Sequence, residues 1–443
     1  MEKVVFTNPF VIVFVIGTAL TFLLKHFLEF IDWKARVKNG GNLPERLKSI
    51  PAASVLDAEK LKKISAYEDA KYFFWIPRSL CTVFLTFVLV LSGFYPWLFN
   101  LVCRFTGFPA GFWSTYFCMF IFLLLAGIPS SILDLPFDLV REFKIEKSFG
   151  FSNMTFKLWV LDSIKGLAAS LVISLILLLG MTAVLVFFPK TWWIFLTVLI
   201  FIFTFVMMIL YPLVIAPIFN KFSPLEDGEL KEKICALMNN LGFKSAGIFV
   251  MDASKRSGHS NAYFTGFGKS KRIVLYDTLI KQLTTDELVA VLGHELGHYK
   301  MHHIIRKFIV LIPIELILMF VLYKIAQSTL IYTGFGFAFA GVKIETVQFI
   351  GLFLANMVAS SVTEILSPVM NLSSRKDEYA ADKFSAELTG HPEDLISALV
   401  KLNSENLSEL LPPKLYVLWN YDHPSLMERI EALDKIALSK KQE

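Results

Sequence analysis

A chain of 443 residues that is 55% hydrophobic and only 18% charged is not an ordinary soluble domain, in which about a quarter of the residues are charged. Its formal net charge of +5 comes largely from lysines and arginines gathered in loops, which predicts membrane orientation rather than a nucleic-acid partner. The four cysteines are scattered, with neither a metal-binding spacing nor a disulfide framework.

Seven apolar segments are each long enough to cross a hydrocarbon core, which takes roughly 20 helical residues. A soluble fold could not bury seven such helices together. We therefore predict a mainly α membrane protein with seven transmembrane helices. The predicted spans cover residues 8–30, 74–103, 112–136, 156–188, 192–218, 304–333 and 345–370.

The basic loops set the predicted orientation. Loops 31–73 and 137–155 are rich in lysine and arginine, whereas the connections on the opposite side are short and nearly uncharged. Because basic loops stay in the cytoplasm, we predict a cytoplasmic C-terminus and an N-terminus that is outside or luminal. The chain then divides into membrane helices 1–5 (1–218), a first cytoplasmic part (219–303), membrane helices 6–7 (304–370) and a second cytoplasmic part (371–443).

The first cytoplasmic part has the pattern of a small α+β unit. It predicts a helix over 227–241 and strands near Gly247–Asp252 and Arg272–Tyr276. The run Gly258–Gly266 predicts a further strand that ends in a glycine-rich turn. An exposed edge of such a sheet can accept an extended peptide.

The most informative motif follows this sheet, where His294 to His298 read H-E-L-G-H. Thr284 and Glu287 form a predicted capping box that starts the helix carrying the motif. On a helix, His294 and His298 lie one turn apart on the same face and can bind one Zn²⁺, with Glu295 beside them.

A catalytic zinc usually takes three protein ligands and keeps a fourth position for water. The predicted helix over 371–389 offers Glu378 as the third ligand. Asp382, one turn further on, can accept a hydrogen bond from a ligand imidazole. The spacing alone leaves Asp377 and Glu387 open as alternatives to Glu378.

Other polar residues complete the predicted chemistry. A bound zinc acidifies water and polarises the scissile carbonyl, while Glu295 acts as general base. His423, and Arg429 on the helix after it, are candidates to stabilise the oxyanion of the reaction. His302 and His303 extend the zinc helix, and we interpret them as interfacial residues rather than ligands.

Further motifs occur in a fixed order around the zinc motif. They are Leu135–Asp138, Glu146–Phe151, Tyr211-Pro212, Ile215–Phe222, Arg256–Tyr263, Lys271–Leu279, Ser374–Asp382, and His423-Pro424 with Glu428-Arg429. With these motifs the chain resembles the integral-membrane CAAX prenyl protease family, type 1, whose members are zinc metallopeptidases of the gluzincin kind. The segment Asp377–Ala380 departs from the family, in which aromatic residues flank the glutamate.

The resemblance implies seven helices that enclose a chamber, with a cytoplasmic α+β zincin-like metalloprotease domain at its mouth. It implies one Zn²⁺ per chain with Glu378 as third ligand, and a role near the scissile bond for His423 and Arg429. It also implies that the strand at Ser260 and Asn261 holds the substrate backbone. Family members remove the three C-terminal residues of prenylated CAAX proteins. We therefore expect a membrane zinc metalloendopeptidase acting on a prenylated CAAX protein or peptide in the lipid bilayer.

Two other functions remain open from the sequence. One is a membrane quality-control zinc protease with loose specificity and no prenyl requirement. The other is a seven-helix receptor or transporter in which the H-E-x-x-H segment is incidental. The expected compartment is the endoplasmic reticulum membrane for a eukaryotic chain and the inner (plasma) membrane for a bacterial one. Lys440-Lys441 fits a dilysine retrieval signal or, equally, a lysine-rich helix end. The oligomeric state is left open.

Overall fold

The computed structural model describes residues 3–242, 247–265, 272–339 and 343–440, and its first half is helical. The first six helices of eight or more residues are α1 (Pro9–Asn39), α2 (Ala58–Leu91), α3 (Phe94–Thr106), α4 (Phe112–Val140), α5 (Phe156–Phe187) and α6 (Trp192–Leu210). Turns of π-helix extend α4 and α6, over Arg141–Glu146 and Tyr211–Ile215.

The second half alternates between polar and apolar elements. The helices of eight or more residues are α7 (Glu229–Asn240), α8 (Thr285–Lys300), α9 (His303–Ala326), α10 (Gln348–Ser360), α11 (Ser367–Thr389), α12 (Pro392–Glu405) and α13 (Leu426–Lys440). The strands are β1 (Phe222–Pro224), β2 (Ile248–Met251), β3 (Ala262–Thr265) and β4 (Arg272–Tyr276). They form one sheet in the order β1-β2-β4-β3, with β2 and β4 parallel and the other two pairs antiparallel.

Within the described residues, six helices are long and apolar enough to cross a membrane: α1, α2, α4, α5, α6 and α9. A seventh span is formed if the pair Gln348–Ser360 and Thr363–Thr389, bent by 56°, counts as one. The predicted mainly α architecture with seven membrane spans is thereby confirmed in its outline.

The predicted bounds of three spans were wrong. The second was predicted as one helix over 74–103, but α2 ends at Leu91 and α3 starts at Phe94 because Gly93 adopts a left-handed conformation with φ of 81°. The sixth was predicted to continue to residue 333, yet α9 ends at Ala326 and a separate short helix, Thr329–Gly334, follows it.

The seventh predicted span, 345–370, is broken near its middle. The hydroxyls of Ser360 and Ser361 donate to the carbonyl oxygens of Met357 and Val358, at 3.0 and 2.7 Å. Such local hydrogen bonds give the backbone an alternative to helix continuation. The break directs α11 out of the span and toward the polar part of the molecule.

The membrane helices surround open space rather than closing on each other. Two cavities of about 520 and 590 Å³ lie along α2 and share Trp75 and Arg78 in their walls. The larger of the two is lined by several hydroxyl groups, including those of Thr21, Thr82 and Ser361. Polar groups at this position in apolar helices indicate a chamber that admits water.

The two polar parts of the chain pack against each other although α9 and α10 separate them in sequence. Leu292 and Leu296 of α8 share a buried core with Ile234 of α7, Leu275 of β4 and Ala398 of α12. The other side of α8 contributes to a second core with residues of α11, α12 and α13. A helix in the first polar part therefore has both of its apolar faces covered, one of them mainly by the second part.

A buried arginine fixes this second part to the membrane helices. Arg36, near the end of α1, has a side chain that is only 3% exposed. It forms ion pairs with Asp32 on its own helix, Asp69 on α2 and Glu409 beyond α12, at 2.7–2.9 Å. Buried charges require such pairing, so these contacts set how the polar parts sit on the bundle.

Candidate metal centre

The helix that carries the H-E-x-x-H motif begins where its capping box predicts. The Thr284 hydroxyl accepts the Glu287 N–H at 3.4 Å, and a Glu287 carboxylate oxygen accepts the Thr284 N–H at 2.8 Å. Glu287 also pairs with Lys401 on α12 at 2.6 Å. The start of α8 is therefore fixed both locally and by tertiary contact.

Two glycines let α8 and α11 approach closely. A Cβ on Gly293 would lie 2.9 Å from the Ser385 hydroxyl oxygen, and one on Gly297 would lie 3.1 Å from Cα of Ala381. The Ser385 hydroxyl donates to the carbonyl oxygen of Ala290 at 2.6 Å and joins the two helices. Larger residues at either glycine would separate the helices, so this contact brings the acidic face of α11 onto the histidine face of α8.

Three side chains converge at this contact. The Nε2 atoms of His294 and His298 lie 3.2 Å apart, and each lies 3.2–3.3 Å from a carboxylate oxygen of Glu378. Tetrahedral zinc with bonds of about 2.0–2.2 Å places its ligand atoms roughly 3.3–3.5 Å apart. Oε2 of Glu378 is buried without a hydrogen-bond partner, as expected for an atom that serves a cation. The three side chains thus fit one metal ion.

The two alternative carboxylates lie elsewhere. Asp377 is 1% exposed and forms an ion pair with Arg306 on α9. Glu387 has a side chain that is 53% exposed and faces Lys383 at 3.7 Å. Among the three carboxylates considered from the sequence, the described structure groups only Glu378 with the two histidines.

Asp382 orients the first histidine. It accepts a hydrogen bond from Nδ1–H of His294 at 2.7 Å, which leaves Nε2 free to bind a metal. Arg429 donates from Nε and Nη2 to both oxygens of Asp382, at 2.8 and 2.6 Å. Burial lowers the pKa of His294, but Asp382 and Glu378 outweigh burial and raise it to about 9. The carboxylates around His294 therefore favour a positive charge bound to its imidazole ring.

The second histidine is oriented by a residue that the sequence interpretation missed. Nδ1 of His298 lies 2.9 Å from Nδ1 of His303, which is 3% exposed rather than interfacial. Nε2 of His303 faces Asp377 at 3.8 Å. His302 takes a left-handed conformation with φ of 54°, and this kink turns His303 inward. The available signal was a histidine five positions after His298.

We expect His303→Ala to weaken zinc binding by about 10–100-fold, as loss of a hydrogen-bonding partner to a metal ligand usually does. The physical reason is that His298 then has no fixed tautomer. Competition with a chromophoric chelator measures the affinity. His302→Asn is the matched control because asparagine tolerates the left-handed conformation. An unchanged affinity in His303→Ala would contradict the orienting role.

Glu295 opens onto a cavity of about 160 Å³ next to the candidate metal ligands. Burial raises the pKa of its carboxyl group. His423 and Arg429 line the same cavity, and Nε2 of His423 lies 3.5 Å from Glu378. A carboxylate and two groups able to donate hydrogen bonds therefore surround one small space beside the candidate ligands.

The predicted substrate strand borders this space. Ser260 and Asn261 line the cavity and lead into β3, which is an edge strand of the sheet. The Ser260 hydroxyl donates to Gln282, whereas Asn261 is exposed. The strand is shorter than the predicted run Gly258–Gly266, and the glycine-rich turn predicted at Gly266 lies outside the described residues, as does Lys441.

Membrane helices joined to a buried His-His-Glu cluster, with a glutamate and an edge strand beside it, define a membrane-embedded metalloprotease. A model of peptidase family M48 matches residues 224–437, and a model described as the CAAX prenyl protease N-terminal region with five membrane helices matches residues 35–221. The chain belongs to peptidase family M48. It is an integral, multi-pass membrane protein, and its family implies a metal cofactor.

Several named proteins are similar to this chain over most of its length. The CAAX prenyl protease 1 homolog of Arabidopsis thaliana is 38% identical over 86% of this chain and 88% of its own length. CAAX prenyl protease 1 of Saccharomyces cerevisiae is 36% identical, over 87% of this chain and 88% of its own. A crystal structure of S. mikatae Ste24p matches with a TM-score of 0.87 and 32% identity, over 97% of this chain and 100% of that one. The resemblance inferred from the motifs is confirmed, and the receptor or transporter interpretation is set aside.

Proposed function

We propose that this protein is a zinc metalloendopeptidase that removes the three C-terminal residues of prenylated CAAX proteins. The observation that supports this most is the convergence of His294, His298 and Glu378 in a chain whose relatives are named CAAX prenyl proteases. Two imidazoles and one carboxylate form a donor set typical of catalytic zinc in peptidases.

The residues around the ligands have distinct proposed roles. His294, His298 and Glu378 would hold Zn²⁺, which would supply Lewis-acid chemistry to a peptide carbonyl. Glu295 accepts the proton of the attacking water and delivers it to the leaving amine. Asp382 keeps His294 in the tautomer that presents Nε2.

Two further side chains are proposed to act on the attacked carbonyl group. His423 and Arg429 line the cavity at Glu295 and donate hydrogen bonds to the oxyanion as charge develops there. Arg429 is held in place by its paired hydrogen bonds to Asp382. His423 is more exposed, with a side chain that is 55% accessible, so it can meet an entering substrate.

The substrate backbone is proposed to lie along β3. An edge strand leaves backbone N–H and C=O groups available to an added strand, and Ser260 and Asn261 stand where this edge meets the catalytic cavity. The segments 219–303 and 371–443 would together form the catalytic domain. The positive loops favour a cytoplasmic site for it, in the endoplasmic reticulum membrane if the cell is eukaryotic and in the inner membrane if it is bacterial.

A comparison of peptide substrates tests this function. Purified protein in detergent is given a farnesylated CAAX peptide and the same peptide without the prenyl group, each with and without a zinc chelator. We expect faster cleavage of the farnesylated peptide after its cysteine, loss of activity with chelator, and recovery with added Zn²⁺. Equal rates for the two peptides would instead support the quality-control peptidase, and cleavage that resists chelation would contradict a zinc mechanism.

A further inference from the structure

Two cavities of unequal size lie next to the candidate metal ligands. The smaller, of about 160 Å³, contains His294 and Glu295 in its wall together with aliphatic side chains such as Leu279 and Val291. The larger, of about 480 Å³, contains His298. Because each cavity has one of the two candidate histidine ligands in its wall, both cavities adjoin the candidate metal position.

The larger cavity lies where membrane helices meet the catalytic elements. Met207 and Met208 of α6, Tyr211 just beyond it, Phe264 of β3, and Ile304 and Ile305 of α9 line it. Its described wall contains no aspartate, glutamate, lysine or arginine. Its volume is in the range of pockets that enclose whole organic ligands, roughly 300–1,000 Å³. Methionine side chains adapt to irregular apolar ligands.

Both cavities border the edge strand β3 or the residues that lead into it. Ser260, Asn261 and Ala262 border the smaller one, and Phe264 and Thr265 border the larger one. A peptide laid along this edge therefore passes from one cavity to the other across the metal ligands. Successive side chains of an extended peptide point to opposite sides, so the residues on either side of the scissile bond reach different pockets.

We propose that the larger cavity is the subsite for the isoprenyl chain on the substrate's cysteine, and that the smaller cavity takes the aliphatic residue after it. This assignment rests on the proposed function. Cleavage directly after the prenylated cysteine places a long isoprenoid on one side of the scissile bond and a short aliphatic side chain on the other. The two cavities have the same inequality of size: the larger has no carboxylate, ammonium or guanidinium group in its described wall, and the smaller combines aliphatic side chains with the polar groups beside the candidate ligands. A farnesyl or geranylgeranyl chain matches only the larger one.

The position of the cavity supports an isoprenoid occupant over a peptide side chain. Ile304 and Ile305 are 48% and 47% exposed at the start of a membrane helix. An isoprenoid that leaves the bilayer can therefore move along apolar surface to the metal ligands without crossing water. Burying the chain there removes apolar surface from water while it holds the adjacent peptide bond at the metal site.

Filling the cavity tests the proposal. In Met208→Trp, the ratio of kcat/KM for a farnesylated peptide to that for its unprenylated counterpart is expected to fall by at least about tenfold, since even one extra methylene in a filled pocket changes selectivity by about that much. Val206→Trp, on the same helix but outside the cavity wall, is the matched control and keeps the wild-type ratio. If wild-type protein shows no preference for the farnesylated peptide, the proposed function fails. If wild-type prefers it and Met208→Trp keeps that preference, only the subsite assignment fails.

Photocrosslinking of wild-type protein avoids any folding defect of the variant. A CAAX peptide with a photoreactive farnesyl analogue is expected to label residues 204–212, 264–265 or 304–305, and excess farnesylated peptide should prevent the labelling. Labelling confined to other helices would overturn the assignment. Labelling of these residues that excess peptide fails to displace, but that a lipid with a photoreactive acyl chain reproduces, would identify the cavity as a lipid site and also overturn it.

Discussion

Glu295→Gln is expected to slow peptide hydrolysis by about 10²–10⁴-fold, the usual contribution of a general base, while the purified protein keeps its metal. Glutamine has nearly the same shape as glutamate but cannot accept the proton of the attacking water. The three proposed ligands are unchanged, so zinc content measured by mass spectrometry should remain at about one per chain. Steady-state kinetics with a farnesylated peptide measures the loss.

The matched control for this substitution is Glu387→Gln. Glu387 is exposed on α11 and pairs only loosely with Lys383, at 3.7 Å, so its substitution should leave the rate unchanged. Full activity in Glu295→Gln would remove Glu295 as the base. Loss of zinc from that variant would show instead that Glu295 supports the metal site.

Glu378→Ala is expected to lose both zinc and hydrolysis. Glu378 supplies the only carboxylate that the described structure brings within reach of both histidines. Two imidazoles alone bind zinc poorly compared with a complete set of three ligands. The loss of affinity should exceed the roughly 10–100-fold change expected for His303→Ala. Zinc content after dialysis and chelator competition measure the loss.

This variant should remain folded, because alanine is the strongest helix former and Glu378 lies inside α11. A thermal melt in detergent checks this independently of metal content. Glu387→Ala on the same helix is the control and is expected to keep zinc. If Glu378→Ala retained stoichiometric zinc, the third ligand would have to be another residue.

The start of α8 shows which features of the structure can be predicted from residues that are close in sequence. Thr284 and Glu287 specify a helix start by hydrogen bonds between residues three apart, and such short-range pairs can be inferred from sequence alone. The pairing of His294 with His298 follows in the same way from helical periodicity. The apolar spans are equally local, since their length and composition indicate membrane crossing without knowledge of any contact.

The ends of the membrane spans were less predictable, because they depend on backbone conformation and local hydrogen bonds rather than on hydropathy. Hydropathy stays high through residues 74–103, but Gly93 breaks the helix by a backbone conformation that a hydropathy average does not register. At Ser360 and Ser361 the break depends on hydrogen bonds to nearby carbonyls. Each of these residues also occurs in unbroken helices, so its presence does not determine where a helix ends.

The sequence by itself determined that this chain crosses a membrane, that a helix presents two histidines and a glutamate, and that acidic residues follow on a later helix. Only the tertiary structure decided which carboxylate faces the histidines, because Gly293 and Gly297 let α11 approach α8 in one register. It also placed His303 behind His298, by a kink at His302. Helical periodicity acts over a few residues, whereas the metal centre joins side chains 80 or more positions apart, and only packing brings such residues together.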